Sequence, residues 1–237
     1  MQGLITTGLA QLGLTNRVPD NAPALLARYG HALLEQNQVM NLTAITHPQD
    51  VATLHMLDCA SLLDCGLDPD GTLIDVGTGA GFPGMVLKLL APGLSVTLLD
   101  SLQKRLDWLA GLAQDWGLSG LSVHYGRAEE AGQSPALREQ FDCATARAVA
   151  DLRLLSELCL PLVKVGGRFL AMKGVDCQAE LDAAHSAITA LGGAVAQVRD
   201  YTIPHTSVTH RVIVVDKLRP TPALYPRRWA KLRKHPL

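Results

Sequence analysis

The sequence predicts an α/β fold: a mostly parallel seven-stranded sheet with helices on both faces, an antiparallel edge strand, and a helical extension at the amino terminus. From residue 72 onward, short apolar runs alternate with amphipathic stretches, an alternation typical of parallel sheets with crossover helices. Residues 22–40 and 50–63 carry apolar side chains at helical spacing, which predicts the extension. The last two apolar runs have no helical stretch between them, which predicts the antiparallel strand.

The apolar runs locate the individual elements. Strands are predicted near residues 72–76, 95–99, 121–125, 141–146, 167–172, 195–201 and 211–215, with helices at 84–91, 102–116, 151–163 and 177–191. Pro204, His205 and polar residues separate the last two strands, so we expect a hairpin at the sheet edge. The chain then divides into a helical extension at 1–70, a sheet domain at 71–216 and a tail at 217–237.

Composition describes a globular chain of 237 residues, with 48% hydrophobic and 18% charged residues. No charge-free window supplies the roughly 18 to 20 apolar residues that a membrane span requires. No basic residue precedes Arg17, so the basic start of a signal peptide is missing. We therefore expect a cytoplasmic protein with no membrane partner, and we expect a monomer.

Five cysteines, at positions 59, 65, 143, 159 and 177, are odd in number and include no Cys-x-x-Cys pair. This pattern argues against both a disulfide framework and a zinc site. We expect most of them to be small core residues and expect no bound metal.

The most informative stretch follows the first strand, where glycines occupy alternate positions in Asp75-Val-Gly77-Thr-Gly79-Ala-Gly81-Phe82. Glycines there let the backbone turn sharply and approach a ligand. A dinucleotide-binding fingerprint would place its third glycine where Phe82 stands. The Gly-x-Gly-x-Gly pattern after an acidic strand end instead resembles the loop of S-adenosylmethionine (SAM) methyltransferases. The alternative is a plain tight turn.

Two further strand ends support a nucleoside site. Asp100 ends the second strand, where a carboxylate can accept hydrogen bonds from ribose hydroxyls. The segment with Ala128 and Glu129 follows the third strand and lies at the same sheet edge, where it can contact an adenine ring. Its alternative interpretation is an acidic helix start that favours the helix dipole.

Other polar residues are candidates for the substrate side. Arg147 ends the fourth strand and would face the cleft, with a surface ion pair as the alternative. Lys173 ends the fifth strand. Asn41, His55 and Asp58 lie in the helical extension, where a lone histidine is more often a surface or capping residue than a catalyst.

Positive charge is concentrated at the carboxyl terminus. Residues 217–237 contain seven of the chain's 21 Lys and Arg residues and none of its 22 acidic residues. A basic tail on an acidic body predicts localised contact with a polyanion, and a solvated tail is the alternative.

Two absent motifs narrow the methyl acceptor. The sequence has no Asn-Pro-Pro-Tyr-like tetrapeptide, which usually cradles an exocyclic amino group, and none of its 13 prolines precedes a cysteine, as a cytosine carbon-5 methyltransferase would require. An acceptor that is already nucleophilic, such as guanine N7, needs neither device, because no proton has to be removed first.

Taken together, these motifs resemble the RsmG (GidB) family of bacterial methyltransferases over roughly residues 37–228. The family methylates N7 of a guanosine in the decoding-region loop of 16S ribosomal RNA. The matching motifs are Asn41-Leu-Thr43, His55-Met-Leu-Asp58, Asp75 to Gly84, Leu98 to Ser101 with Lys104-Arg105, Arg127-Ala-Glu129, Arg147-Ala-Val149, Lys173-Gly174 and Tyr225-Pro-Arg-Arg228. The resemblance implies a Rossmann-like fold, SAM as cofactor, and 16S rRNA or the small ribosomal subunit as partner.

The resemblance also implies roles for individual residues. Cofactor contacts are expected from Gly77, Phe82, Ala128, Glu129 and Arg147, with Asp100 at the ribose and Asp75, Gly79 and Gly81 completing the loop. Our own hypothesis adds the catalytic candidates on the substrate side, which are Arg147 and Lys173, joined by Asn41, His55 and Asp58. Phosphate contacts are expected from Arg227, Arg228, Lys231, Arg233 and Lys234.

The chain departs from the family pattern at two places. Cys59 stands where the family commonly has serine, and Trp229 begins a carboxyl end that lacks the usual glycine and proline. Two other functions stay open from the residues alone: a dehydrogenase, which Phe82 disfavours, and a SAM-responsive RNA-binding protein without turnover, which the lack of an obvious acid or base favours.

Overall fold

The computed structural model describes residues 1–147 and 150–237. Its centre is one seven-stranded sheet with the order β3-β2-β1-β4-β5-β7-β6. The strands are β1 (Thr72–Val76), β2 (Ser95–Asp100), β3 (Leu121–Tyr125), β4 (Phe141–Arg147), β5 (Val163–Gly174), β6 (Gly193–Thr202) and β7 (Thr209–Lys217). Strands β1 to β5 pair in parallel, and β7 pairs antiparallel with both β5 and β6.

Helices cover both faces of the sheet. They are α1 (Gln2–Gln11), α2 (Ala22–Met40), α3 (Pro48–Asp50), α4 (Asp58–Ala60), α5 (Gly84–Leu90), α6 (Gln103–Asp115), α7 (Ala128–Ala131), α8 (Leu152–Cys159), α9 (Gln178–Ala190) and α10 (Trp229–Lys234). A π-helix, Val51–Leu57, joins α3 to α4, and 3₁₀ turns follow α4 at Ser61–Asp64 and α8 at Leu160–Leu162. None of these helices is long and apolar enough to cross a membrane.

Each face of the sheet has its own hydrophobic core, because successive strand residues point to opposite faces. Leu73 joins the first core, which is built with α1, α2, α5 and α6, and Ile74 joins the second, which is built with α8, α9 and α10. Buried residues of the amino-terminal extension, such as Ile5 and Leu26, belong to the same core as Leu73. The extension therefore packs onto the sheet rather than standing apart from it.

The predicted fold class is confirmed, and the structure refines three of its elements. The antiparallel strand of the edge hairpin is β7, one position in from the edge, and β6 forms the edge itself. Helix α8 ends earlier than predicted because Pro161 has no N–H with which to continue it, and β5 begins at Val163. The end of the predicted tail folds as α10.

The five cysteines are all buried and unpaired, as core residues should be. Within the two described ranges, no three His, Cys, Asp or Glu side chains are grouped as metal ligands would be.

Candidate active site

The glycine loop lies between the ends of β1 and β2. The N–H groups of Gly77 and Thr78 both donate to the carbonyl oxygen of Leu99, at 2.9 and 3.0 Å. Gly77, Gly79 and Gly81 have φ values of 72°, 58° and 86°, a region that glycine enters without penalty. These conformations explain why the chain needs glycine at alternate positions.

The buried carboxylate of Asp75 holds the glycine loop in place. Its Oδ2 accepts hydrogen bonds from Thr78 Oγ1 at 2.6 Å and from Gly84 N at 2.9 Å. Its Oδ1 is buried and has no hydrogen-bond partner in residues 1–147 and 150–237. Burial raises the pKa of Asp75 to about 6, although the two hydrogen bonds oppose the rise.

Asp100 connects the loop to the end of β2. Its Oδ2 accepts from Gly79 N at 2.8 Å and its Oδ1 accepts from Leu102 N at 2.9 Å. Each carboxylate oxygen has two lone pairs, so both oxygens keep acceptor capacity for ribose hydroxyls. The side chain is 6% exposed and lines the adjoining cleft, where the sequence predicted a ribose contact.

A cleft of about 120 Å³ opens beside Asp100. Complete small-molecule sites usually measure roughly 300–1,000 Å³, so this enclosed part suits one end of a ligand. Its walls come from the ends of β1, β2 and β3, from α7 and α8, and from the carboxyl-terminal segment. They include Gly77, Leu99, Asp100, Arg127, Ala128, Glu129, Leu158 and Trp229.

The lining of the cleft suits one end of a ligand that contains a nucleoside. Apolar walls are suited to a purine, and the Asp100 carboxylate to ribose hydroxyls. Sequence reasoning placed Gly77, Asp100, Ala128 and Glu129 here, and the structure brings these four residues together. It also adds Trp229, which only the packing of the chain end makes visible.

Arg147 organises the other side of the site. Its guanidinium donates to the Leu54 carbonyl at 3.0 Å, to Asp58 Oδ2 at 3.1 Å and to His55 Nδ1 at 2.9 Å. It also lies 4.9 Å from the centre of the Phe82 ring. Arg147, His55 and Asp58, which the sequence suggested separately, therefore form one cluster. Ala148 and Val149 of the same predicted motif lie outside the described residues.

His55 is held neutral within this cluster. Burial, and then the charge of Arg147, lower the pKa of His55 to about 3, while Asp58 opposes the change. Because arginine can only donate, Nδ1 accepts and Nε2 carries the proton, which it donates to Thr43 Oγ1 at 2.9 Å. The ring also stacks on Phe82 at 4.4 Å. His55 is thus a positioning group with both nitrogens engaged.

Asp58 ties the extension to the edge hairpin. Its Oδ1 accepts from Tyr201 Oη at 2.7 Å and from His210 Nδ1 at 2.8 Å. Burial would raise the pKa of Asp58, but the His210 bond, the Arg147 charge and the Tyr201 bond together lower it. In turn, the bond to Asp58 raises the pKa of His210.

Sequence reasoning missed Tyr201 and His210. They are directly paired across β6 and β7, so only the register of the hairpin, which the sequence does not fix, could have pointed to them.

A second cavity, of about 250 Å³, adjoins this cluster. It is lined by Asp58, Arg147, Met172, Lys173, Gly174 and His210. These residues come from the extension and from the ends of β4, β5 and the antiparallel β7. This cavity and the cleft beside Asp100 therefore open at the same edge of the sheet, which is where α/β folds bind ligands.

Two predicted substrate-side residues have other surroundings than expected. Lys173 Nζ donates to the Ala150 carbonyl at 2.7 Å and to Glu180 at 2.6 Å, so it stabilises the start of α8 and α9 from the wall of the cavity. Asn41 ends α2 with a φ of 50°, and its side chain is exposed and lines neither cavity. Thr43, two residues further on, is held by the side chain of Asn37.

The predicted RNA-binding set divides into two groups. Arg227 makes a bidentate ion pair with the buried Glu157, at 2.8 and 2.6 Å, and this corrects its assignment to phosphate binding. Lys217, counted in the basic tail, ends β7 and is fully buried. The other four residues of the set are exposed and remain candidates for phosphate binding: Arg228, Lys231, Arg233 and Lys234.

Comparison with known proteins identifies the family. A family model described as GidB, rRNA small subunit methyltransferase G, matches residues 23–209. The chain is 45% identical over 235 residues to the ribosomal RNA small subunit methyltransferase G of Alkaliphilus metalliredigens, covering 99% of this chain and 98% of the relative. It is 47% identical to the protein of the same name from Symbiobacterium thermophilum, covering 100% and 98%. The chain belongs to this family.

Solved structures support the fold. TrmN from Thermus thermophilus superimposes with a TM-score of 0.56 at 23% identity, covering 82% of this chain and 53% of that one. A SAM-dependent O-methyltransferase from Thermotoga maritima gives 0.54 at 15% identity, covering 80% and 73%. The sheet is therefore that of the Rossmann-like methyltransferases, as the sequence predicted.

Membership in the methyltransferase G family identifies SAM as the cofactor and excludes the dehydrogenase alternative. Phe82 packs on His55 where a dinucleotide-binding loop would carry glycine. The close approach of helix to strand occurs at Gly84 instead, since a Cβ there would lie 2.5 Å from Leu98 and 2.9 Å from Asp75.

Cys59, which stands where the family commonly has serine, is a core residue. Burial raises the pKa of the Cys59 thiol, so at neutral pH this residue is uncharged.

Proposed function

We propose that this protein transfers a methyl group from SAM to N7 of a guanosine in the decoding-region loop of 16S ribosomal RNA. The observation that carries the proposal is the pairing of two cavities at one sheet edge in a chain of the methyltransferase G family. One cavity fits adenosine, and the other offers a charged, hydrogen-bonding wall for the acceptor. The N7 position and the decoding-region loop follow from the resemblance of the sequence to the RsmG family.

The residues of the cleft hold the cofactor. Asp100 accepts from the ribose, and the loop at Gly77 and Gly79 lets the backbone approach the ligand closely. When bound, SAM supplies a methyl group on a positively charged sulfur. The chain's contribution is then to orient the acceptor and to exclude water.

The state of the titratable groups favours an acceptor that needs no base. His55 uses both ring nitrogens, and both Asp58 oxygens accept hydrogen bonds while its pKa is lowered. Neither group is therefore suited to remove a proton from the acceptor. Guanine N7 has a lone pair at neutral pH, so positioning alone suffices.

His210 is the group in the acceptor cavity best suited to contact the substrate. Its Nδ1 is committed to Asp58, which fixes the ring and leaves Nε2 without a hydrogen-bond partner in the described parts of the chain. The side chain is 33% exposed and lines the cavity. The bond to Asp58 raises the pKa of His210 and so favours the cationic ring, in which Nε2 also carries a proton and can donate to guanine O6. Arg147, by contrast, is occupied in holding the cluster together.

The proposal is tested with small ribosomal subunits from a strain that lacks the activity. Subunits and free 16S rRNA are incubated separately with methyl-labelled SAM, and the modified base is mapped. We expect label at N7 of one guanosine in the decoding-region loop, on at least one of the two substrates. Absence of label at any guanine N7 would sink the proposal, and tight rRNA binding with SAM unconsumed would favour a binding protein without turnover.

A further inference from the structure

Trp229 occupies an unexpected place, because it begins the carboxyl-terminal helix α10 and also lines the cofactor cleft. We propose that α10 serves both ligands: Trp229 packs against the adenine end of SAM, while Lys231, Arg233 and Lys234 bind rRNA phosphates. Binding of either ligand then strengthens binding of the other. The inference rests on the proposed function and adds a cofactor contact and a coupling to it.

Trp229 is held at the cleft by anchors on both sides. Before it, Arg227 forms its bidentate pair with Glu157, and the Arg227 N–H donates to the same carboxylate at 2.8 Å. Gln133 also donates to the Pro226 carbonyl at 2.9 Å. After it, Leu232 is fully buried in the second core. The segment therefore has a defined path across the mouth of the cleft.

The chemistry of the cleft places adenine beside Trp229. Asp100 locates the ribose, and the ends of β2 and β3 lead from it toward Ala128 and the apolar side chain of Leu158. Trp229 completes this apolar wall. An indole is a flat, rigid surface that packs well on a purine, so its contact contributes affinity at small cost in side-chain entropy.

The outer face of α10 is basic. Lys231, Arg233 and Lys234 are exposed, and none of them forms an ion pair with an acid in the described ranges. Phosphates are the expected partners of such side chains. Since one short helix presents the indole to the cofactor and the cations to solvent, a ligand that further restrains α10 on one side lowers the entropy cost of binding on the other. Thermodynamic linkage makes this effect reciprocal.

The first test measures cofactor affinity without RNA. S-adenosylhomocysteine, the product form that cannot transfer a methyl group, is titrated calorimetrically into the full-length protein and its variants. We expect Trp229→Ala to weaken binding about 10-fold, which is an ordinary loss for one buried aromatic contact, and Trp229→Phe to stay within about 3-fold of the parent. The matched control K231Q/R233Q/K234Q should bind like the parent. Thermal midpoints of all variants verify that each is folded.

The second test measures coupling. Affinity for small subunits from the deficient strain is determined with and without saturating S-adenosylhomocysteine. We expect the parent to bind at least about 3-fold more tightly with the ligand present, and Trp229→Ala to lose this difference. Parent-like cofactor affinity in a folded Trp229→Ala variant, or an equal enhancement in both proteins, overturns the inference. The proposed function fails separately, if the parent itself transfers no methyl group.

Discussion

At the scale of single residues, the site depends on Arg147 being held rather than being free. Its guanidinium satisfies a backbone carbonyl, a neutral histidine and a carboxylate from one stretch of the extension. Asp58 is the only ionised partner in that set and is 1% exposed. A buried charge without its partner is strongly unfavourable, so loss of either member of the pair is costly.

Replacing Asp58 by asparagine should therefore destabilise the fold markedly. The change keeps the size of the side chain but leaves Arg147 without a compensating charge, and we expect a loss of about 3 kcal/mol in the free energy of unfolding, measured with urea. Asp200→Asn is the matched control, since Asp200 pairs with Arg211 at the surface, where the pair is screened by water. Its unfolding curve should overlay that of the parent, and equal effects of the two changes would contradict the argument.

His55 should make stability depend on pH in a predictable direction. Its pKa is about 3 in the folded state and 6.5 as the ordinary value, so the unfolded chain binds the extra proton first as pH falls. The stability that neutral His55 contributes is present above pH 6.5 and is lost progressively below it, by about 1.4 kcal/mol per pH unit.

The prediction is checked against His55→Gln, which keeps one donor and one acceptor but does not titrate. Between pH 7 and pH 5.5, the difference in unfolding free energy between the parent and this variant should shift by about 1 kcal/mol in favour of the variant. A difference that stays constant over that range would show that His55 titrates normally in the folded state.

At the scale of elements, the backbone geometry of the glycine loop determines which residue types the loop can contain. Gly81 combines a φ of 86° with close neighbours: a Cβ there would lie 2.8 Å from Leu109 and would also meet the Tyr29 hydroxyl. That hydroxyl donates to the carbonyl of Ala80 in the same loop. Tyr29 of the extension thus holds the glycine loop in place. This contact links the helices of residues 1–70 to the binding site.

Gly81→Ala should therefore lower both stability and cofactor affinity. Backbone strain and the two close contacts predict a loss of about 2 kcal/mol in unfolding free energy, together with weaker binding of S-adenosylhomocysteine by calorimetry. Gly111→Ala is the control, because Gly111 lies within α6 and a Cβ there meets nothing within 4 Å. That change should stabilise the protein by about 0.5–1 kcal/mol and leave cofactor affinity unaltered. Parallel effects of the two substitutions would refute this interpretation.

What the sequence could predict at this scale was set by local patterns. Glycine spacing and acids at strand ends are local, and the residues they identified, such as Gly77, Asp100 and Glu129, converge on one cleft. The partners of Asp58 depend on strand register, and Trp229 depends on how the chain end folds back, so no local pattern contained them. Lys217 was counted among the cations of the basic tail, because nothing in its sequence context indicates that its ammonium group is buried and donates to backbone carbonyls.

At the scale of the whole molecule, charge is arranged so that only part of the basic terminus faces solvent. Arg227 and Lys217 serve the interior through Glu157 and Glu139, and the remaining cations are carried outward on the end of the chain. Burial lowers the pKa of Lys217 to about 8, while Glu139 opposes this. The exposed cationic surface of this segment is therefore smaller than the count of its cations suggests, and it lies beside the cleft that Trp229 lines.

This arrangement predicts how rRNA binding responds to salt. Each phosphate neutralised by a cation releases counterions, so the slope of log affinity against log salt concentration measures how many phosphates are engaged. The triple variant K231Q/R233Q/K234Q should bind small subunits more weakly and with a slope reduced by about 2–3.

Lys164→Gln is the control, because Lys164 lies near the start of β5, at the opposite edge of the sheet, where it pairs with Asp142. Filter binding from about 50 to 200 mM salt distinguishes the two. An unchanged slope in the triple variant would mean that rRNA approaches another face, whereas a selective change locates the RNA beside the cleft that holds the methyl donor.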